Sequence, residues 1–159
     1  MKLPRSLLAL CLLGHVFCAS DPYTPLRLYD GTWKVARKDL PKPDELINQC
    51  SLIGKYFACQ QTVNGSVGNL MIFIPAAQPG HYVTQGVNLQ GRALGRGDLE
   101  IDGDRWVYSS MWDEGGKTTY YRTVNIFSGR NHIHFDQQES TNRKDWVTKN
   151  SGDETKVGR

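Results

Sequence analysis

Two histidines two residues apart, His132 and His134, are followed at the same spacing by Asp136. Alternate residues of a strand project from one side, so the three would form a row. With His81 from another strand they would supply three imidazoles and a carboxylate, a donor set that suits Zn²⁺. The same row could act as an acid/base pair. The intervening Ile133 and Phe135 form the apolar face, however, which places the histidines in water. Arg122 shares a stripe with Tyr120, Val124 and Ile126. A charge within an apolar stripe needs a partner or a function. It could receive a ligand carboxylate through paired hydrogen bonds, or stack on Trp33 in a structural role. If the stripe faces outward, Arg122 is merely solvated.

Aromatic residues recur at alternate positions. Trp106, Tyr108 and Trp112 share one strand face, and Tyr82, Tyr120 and Tyr121 fall on neighbouring strands. Inside a small barrel such rings either fill the interior or line a cavity for one small ligand. Periodicity says which residues point inward, and not whether space remains between them.

Other patterns have simpler explanations. Asp98-x-Glu100-x-Asp102-Gly103-Asp104 imitates a calcium loop but lacks the downstream bidentate glutamate, and a hairpin accounts for its Asp-Gly. Arg96-Gly97-Asp98 is an adhesion-type tripeptide that a turn explains. Asn64-Gly65-Ser66 is a glycosylation acceptor in a eukaryotic source and a hairpin turn in any source. Hydrolase signatures are missing: there is no Gly-x-Ser-x-Gly and no phosphate-cradling glycine loop. No Cys-x-x-Cys spacing indicates a redox role. Nothing in the sequence calls for a cofactor.

The elements that must position these residues are short strands. Asp102-Gly103 separates Leu99–Ile101 from Arg105–Tyr108, and Gly115-Gly116 separates that strand from Thr118–Phe127. Both pairs tolerate positive φ, which two-residue hairpin turns require. Further strands are expected at Gly31–Val35, Tyr56–Val63, Gly68–Ile74, His81–Leu89, Asn131–Glu139 and Lys144–Lys149. Leu70, Ile72 and Ile74 face one way and Met71 and Phe73 the other, so that strand should be covered on both faces. Pro41 and Pro43 argue against a strand after the first one. A short helix starting near Pro43, with Asp44 and Glu45 in its first turn, is expected there. The pattern predicts an all-β fold: an antiparallel up-and-down β-barrel of about eight to ten strands with one short helix after the first strand.

Residues 1–20 read as a signal peptide. Lys2 and Arg5 precede an apolar run, Leu7 to Phe17, too short to span a bilayer, and cleavage is expected after Ser20. Cys18 as a lipidated residue is the alternative, set against the bulky Phe17 before it. One barrel domain should then cover residues 21–150, with a polar, frayed tail at 151–159. Lys2 and Arg5 leave with the leader, so 17 of the 19 basic residues remain against 16 acidic ones. This near-neutral balance argues against nucleic acid or an anionic membrane as the main partner. No later segment is long and apolar enough to cross a membrane. Cys11 and Cys18 also leave, and Cys50 and Cys59 remain as the pair for one disulfide in an exported chain.

Gly31-x-Trp33 at the start of the first strand resembles the signature of the calycins, the group that includes lipocalins, fatty-acid-binding proteins and avidins. Lipocalins carry an Asn-Phe-Asp-like lead-in where this chain has Arg27-Leu28-Tyr29-Asp30. The resemblance implies that Trp33 packs at the closed end of a barrel, under an arginine from a late strand: Arg122, Arg130 or Arg143. The layout also resembles small exported bacterial barrel proteins, which end in an acid/aromatic strand and a serine-to-tryptophan segment, here Phe135 and then Ser140 to Trp146. The expectation is a secreted or periplasmic protein that holds a small apolar or amphipathic molecule. Trp33, Tyr82, Trp106, Tyr108, Tyr120, Tyr121 and Arg122 would contact it. Two alternatives are a small barrel enzyme of isomerase or cyclase type, and a barrel that binds or inhibits another protein through its loops.

Overall fold

The computed structural model describes residues 21–159. The leader at 1–20, with Cys11, Cys18 and the cleavage after Ser20, lies outside the described residues. Ten strands follow in order: β1 (Gly31–Arg37), β2 (Asp44–Ile53), β3 (Tyr56–Val63), β4 (Ser66–Pro75), β5 (His81–Val87), β6 (Ala93–Asp102), β7 (Arg105–Glu114), β8 (Lys117–Ser128), β9 (His132–Ser140) and β10 (Val147–Gly158). Each pairs antiparallel with the next, and β1 pairs with β10, so the meander closes into a barrel with no free edge. Two of the hairpin pairs adopt the positive φ expected of them, Asn64 at 50° with Gly65 at 77° and Gly115 at 57° with Gly116 at 79°; in the third only Gly103 does, at 59°, because Asp102 is still paired in β6.

An up-and-down meander sorts its turns between two ends. The β1–β2, β3–β4, β5–β6, β7–β8 and β9–β10 connections lie at one end, and the remaining turns and both termini lie at the other. Apolar packing fills the second end. Trp33, Phe57, Leu99, Trp106, Phe127 and Ile133 are buried there together. A single 3-10 turn at Pro25–Leu28 plugs the base, with Leu26 fully buried. It is tied down by the Tyr82 hydroxyl, which donates to the Pro22 carbonyl at 2.5 Å, and by the Tyr23 hydroxyl, which donates to Lys55 O at 2.5 Å. Among the described residues no helix is long and apolar enough to cross a membrane.

Three expectations need correction. The segment after Pro43 is not a helix. It is β2, because Leu46, Asn48 and Cys50 alternate inward and the chain bonds to β1 on one side and β3 on the other. The two prolines precede the strand, where a missing N–H costs no ladder bond. Residues 151–158 are not a frayed tail: they are the second half of β10 and close the barrel. Their inward residues, Gly152, Glu154 and Lys156, are not apolar, so the usual alternation is absent. Finally, no element among the described residues covers the outer side of β4. Met71 and Phe73 point inward, and Leu70 and Ile72 are half-buried on the outside while Ile74 is 38% exposed.

The expected disulfide is present. Cys50 and Cys59 stand directly opposite one another on β2 and β3, with Cα atoms 4.1 Å apart.

Gly31 shows why the Gly-x-Trp motif needs its glycine. Its φ is +126°, and a Cβ there would sit 2.6 Å from the Gly158 carbonyl oxygen on β10. The β1–β10 register shifts just beyond it, between Thr32 and Trp33. Gly31→Ala combines a disfavoured backbone with a clash at the barrel seam. It is expected to cost about 2 kcal/mol or more, read as a lowered urea midpoint with an unchanged m value.

Candidate functional site

Above the packed floor the barrel is hollow. A cavity of about 530 Å³ runs from Tyr29 and Tyr108 up to Arg37, Asp44 and Val63 at the mouth. Four aromatic rings face it: Tyr29, Phe73, Tyr108 and Phe135. Tyr108 lies 6.2 Å from Tyr29 and 6.5 Å from Phe73, centroid to centroid, so three of the rings form one continuous wall. Val35, Leu46, Val63 and Met71 add aliphatic surface, and Cys59 of the disulfide is part of the lining. Asn48, Gln61, Thr123, Asn125, Gln137 and Glu154 bring polar groups into the same space.

These polar groups are unevenly partnered. The Tyr29 hydroxyl accepts from Asn125 Nδ2 at 2.5 Å. The Oδ1 atoms of Asn48 and Asn125 have no partner among the described residues, although the two residues are only 4% and 5% exposed. An unmet buried acceptor is costly. Glu154 stands inside the barrel on β10 and makes no salt bridge among the described residues. Burial pushes its carboxyl up to about 7. Burial also raises the phenols of Tyr29 and Tyr108, so both stay neutral well past physiological pH. At the mouth, Arg37 is held by Asp39, with Nε and Nη2 donating to its two oxygens at 2.9 and 2.5 Å. Asp44 accepts from Asn64 Nδ2 at 2.7 Å.

The residues singled out in the sequence fall into four places. Trp33, Tyr82 and Trp106 are in the packed floor. Trp33 is 0% exposed and its Nε1 donates to the Tyr29 carbonyl at 2.9 Å. Trp106 packs on Phe127 at 4.5 Å and edge-on to Tyr29 at 5.1 Å. Tyr108 alone of the set lines the main cavity. Tyr121 points inward at the rim, 38% exposed. Tyr120 and Arg122 are on the outer wall. In β8 the buried positions are Asn125 and Phe127, which turns Tyr120, Arg122, Val124 and Ile126 outward. Arg122 Nε donates to Gln138 Oε1 at 2.6 Å and its guanidinium lies 4.0 Å from the Trp146 ring centroid. Arg143 sits 4.3 Å over Tyr120 in the same ladder. Arg122 therefore neither reaches the cavity nor touches Trp33. The cation over Trp33 is Lys156 of β10, whose Nζ is 5.2 Å from the ring centroid and donates to Leu28 O at 3.1 Å.

The histidine row is also outside. His134 Nδ1 is 3.0 Å and His132 Nε2 is 3.5 Å from Asp153 Oδ1, and His134 Nε2 is 3.9 Å from Asp136. His81 lies on β5, away from this sheet region. No group of three or more His, Cys, Asp or Glu among the described residues is placed to hold a metal. An acid/base pair made from these histidines could not act on a molecule in the cavity. Arg96-Gly97-Asp98 is strand, not loop, and the hairpin turn after β6 is Gly103-Asp104, one residue later than expected, with Asp102 paired to Arg105.

Five residues that shape the interior escaped the sequence reading: Tyr29, Asn48, Asn125, Glu154 and Lys156. Tyr29 lies two residues before Gly31 of the Gly-x-Trp strand, a position that could have been read as a lid on the tryptophan. The others are polar residues at inward positions, which apolar periodicity passes over.

Around the mouth the barrel exposes large apolar side chains. Leu40, Val63, Leu89, Leu94, Trp112 and Val147 all stand at this end, with Trp112 60% exposed. Exposed apolar side chains and the charged Arg37 and Asp44 therefore share the mouth end of the barrel.

No protein-family model matches this chain, and no curated protein matches it.

Proposed function

We propose that this protein is an exported, calycin-type binding protein that holds a small, largely apolar molecule inside the barrel. The observation that carries this reading is the cavity of about 530 Å³ above a sealed floor. Its volume is within the range of sites that enclose drug-sized ligands, about 300–1,000 Å³. The exposed apolar side chains at the mouth end offer such a molecule a first contact surface near the opening. Export is supported by the Cys50–Cys59 disulfide, which is at home in an oxidising compartment.

A titration of intrinsic fluorescence tests the proposal. Trp106 contacts Tyr29, which lines the cavity, and Trp112 stands at the mouth. Fatty alcohols, amines, acids and retinoids should be tried below their aggregation limits. At least one is expected to shift or quench the emission, saturating at one ligand per chain. A panel with no spectral change and no heat of binding would overturn the reading.

A further inference from the structure

We propose that the cavity selects molecules whose polar end is an organic ammonium, with Glu154 as the counter-charge and the aromatic wall around the cation. The inference rests on the reading that this cavity is the ligand site.

Three independent features converge on it. The first is a count of interior charges. The guanidinium of Arg37 is taken up by Asp39, and the ammonium of Lys156 is placed between Leu28 O and the Trp33 ring. Asp44 adds a second carboxylate at the mouth. Val35 of β1 stands directly opposite Glu154, the phenols of Tyr29 and Tyr108 feel its charge, and Arg37, Phe135 and Gln137 line the same cavity. None of them is a free cation. An anionic ligand would meet uncompensated negative charge here, and a cationic one would complete a pair.

The second feature is the set of unmet acceptors. Asn48 and Asn125 line the cavity, and their Oδ1 atoms, enclosed by the wall, have no partner among the described residues, so either amide gains one by turning toward a donor in the cavity. An ammonium carries up to three N–H donors, enough for one carboxylate and two amide oxygens, whereas a carboxylate or ether end offers none. The third is the wall itself. Tyr29 and Tyr108 lie close enough to feel the charge of that carboxylate, and Phe73 and Phe135 present ring surface to the same cavity. Aromatic faces attract cations within about 6 Å of the ring centroid, and more strongly where water is excluded. The remaining aliphatic lining accounts for the apolar body of such a ligand.

The test compares dodecylamine, dodecanol and dodecanoate as probes on the full mature chain and on Glu154→Gln, by calorimetry at about pH 8, where the amine is charged and Glu154 ionised. Far-ultraviolet circular dichroism confirms that the variant folds. The amine should bind the wild type at least about tenfold more tightly than the alcohol or the acid. In Glu154→Gln that preference should fall to within about threefold, while dodecanol affinity is kept. If the alcohol or the acid binds the wild type as well as the amine does, or if the variant keeps the preference, the inference is wrong and the binding reading survives. If none of the three binds, both fall together.

Discussion

Replacing Trp33 by alanine should destabilise the barrel by about 4 kcal/mol, among the largest effects of any single change in this chain. The indole is fully buried in the floor. Its removal leaves a hole that the surrounding rings are too rigid to fill, because Phe57, Leu99 and Ile133 are fixed on three separate strands. It also takes away two polar contacts. The Tyr29 carbonyl loses the Nε1 donor at 2.9 Å, and Lys156 loses the ring beneath its ammonium. Burial already lowers the Lys156 pKa, so this lysine depends on the partners it has. Trp33→Phe keeps most of the volume and loses the N–H donor, and should cost about half as much. Urea unfolding followed by circular dichroism measures both variants without relying on the deleted fluorophore. A change below about 1 kcal/mol for the alanine variant would mean that the floor is not a packed unit. The damage should also spread upward. Tyr29 holds Trp33 through its carbonyl and Asn125 through its hydroxyl, so floor and cavity wall share one residue.

The closed meander was legible in the sequence because its determinants are local. Asn64-Gly65, Gly103 and Gly115-Gly116 specify hairpins through backbone conformation alone, and Cys50 and Cys59 sit symmetrically about the turn that joins their strands. Inside and outside were harder to tell apart. Tyr120, Val124 and Ile126 look like an inward stripe with Arg122 among them, yet Tyr121, Thr123, Asn125 and Phe127 are the residues that point in. Both stripes of β8 carry aromatic or aliphatic groups. The one that lost is stabilised outside by stacking, with Arg122 on Trp146 and Arg143 on Tyr120. The strand β10 failed for a different reason. A hollow barrel needs fewer apolar residues than a filled one, and Glu154 and Lys156 point inward because there is a cavity and a tryptophan ring to receive them. Polar residues that form a binding space read, in one dimension, like a solvated tail.

Glu154 is also where the cavity should reveal itself without any ligand. Its carboxyl ordinarily titrates near 4.5 and is raised to about 7 by burial. Between those values the folded chain holds a proton that the unfolded chain has released. Stability must therefore fall as the pH rises from about 4.5 to 7 and level off above, by about 3 kcal/mol for a shift of this size. Glu154→Gln cannot lose that proton. The variant should match the wild type near pH 4 and be about 3 kcal/mol more stable near pH 8, read from urea midpoints at matched pH. His132 and His134 stand on the outer wall beside Asp153 and are common to both proteins, so they cancel in the difference. Arg37, Asp39, Asp44 and Lys156 cancel in the same way. Parallel pH profiles for the two proteins would show that Glu154 is hydrated or paired in solution, and would remove the uncompensated charge from the cavity. A gap that opens above neutral pH would locate a charge held there against its own stability, a cost with a natural purpose if a cationic guest supplies the missing partner. Adding dodecylamine at pH 8 should then narrow the gap, by stabilising the wild type more than the variant.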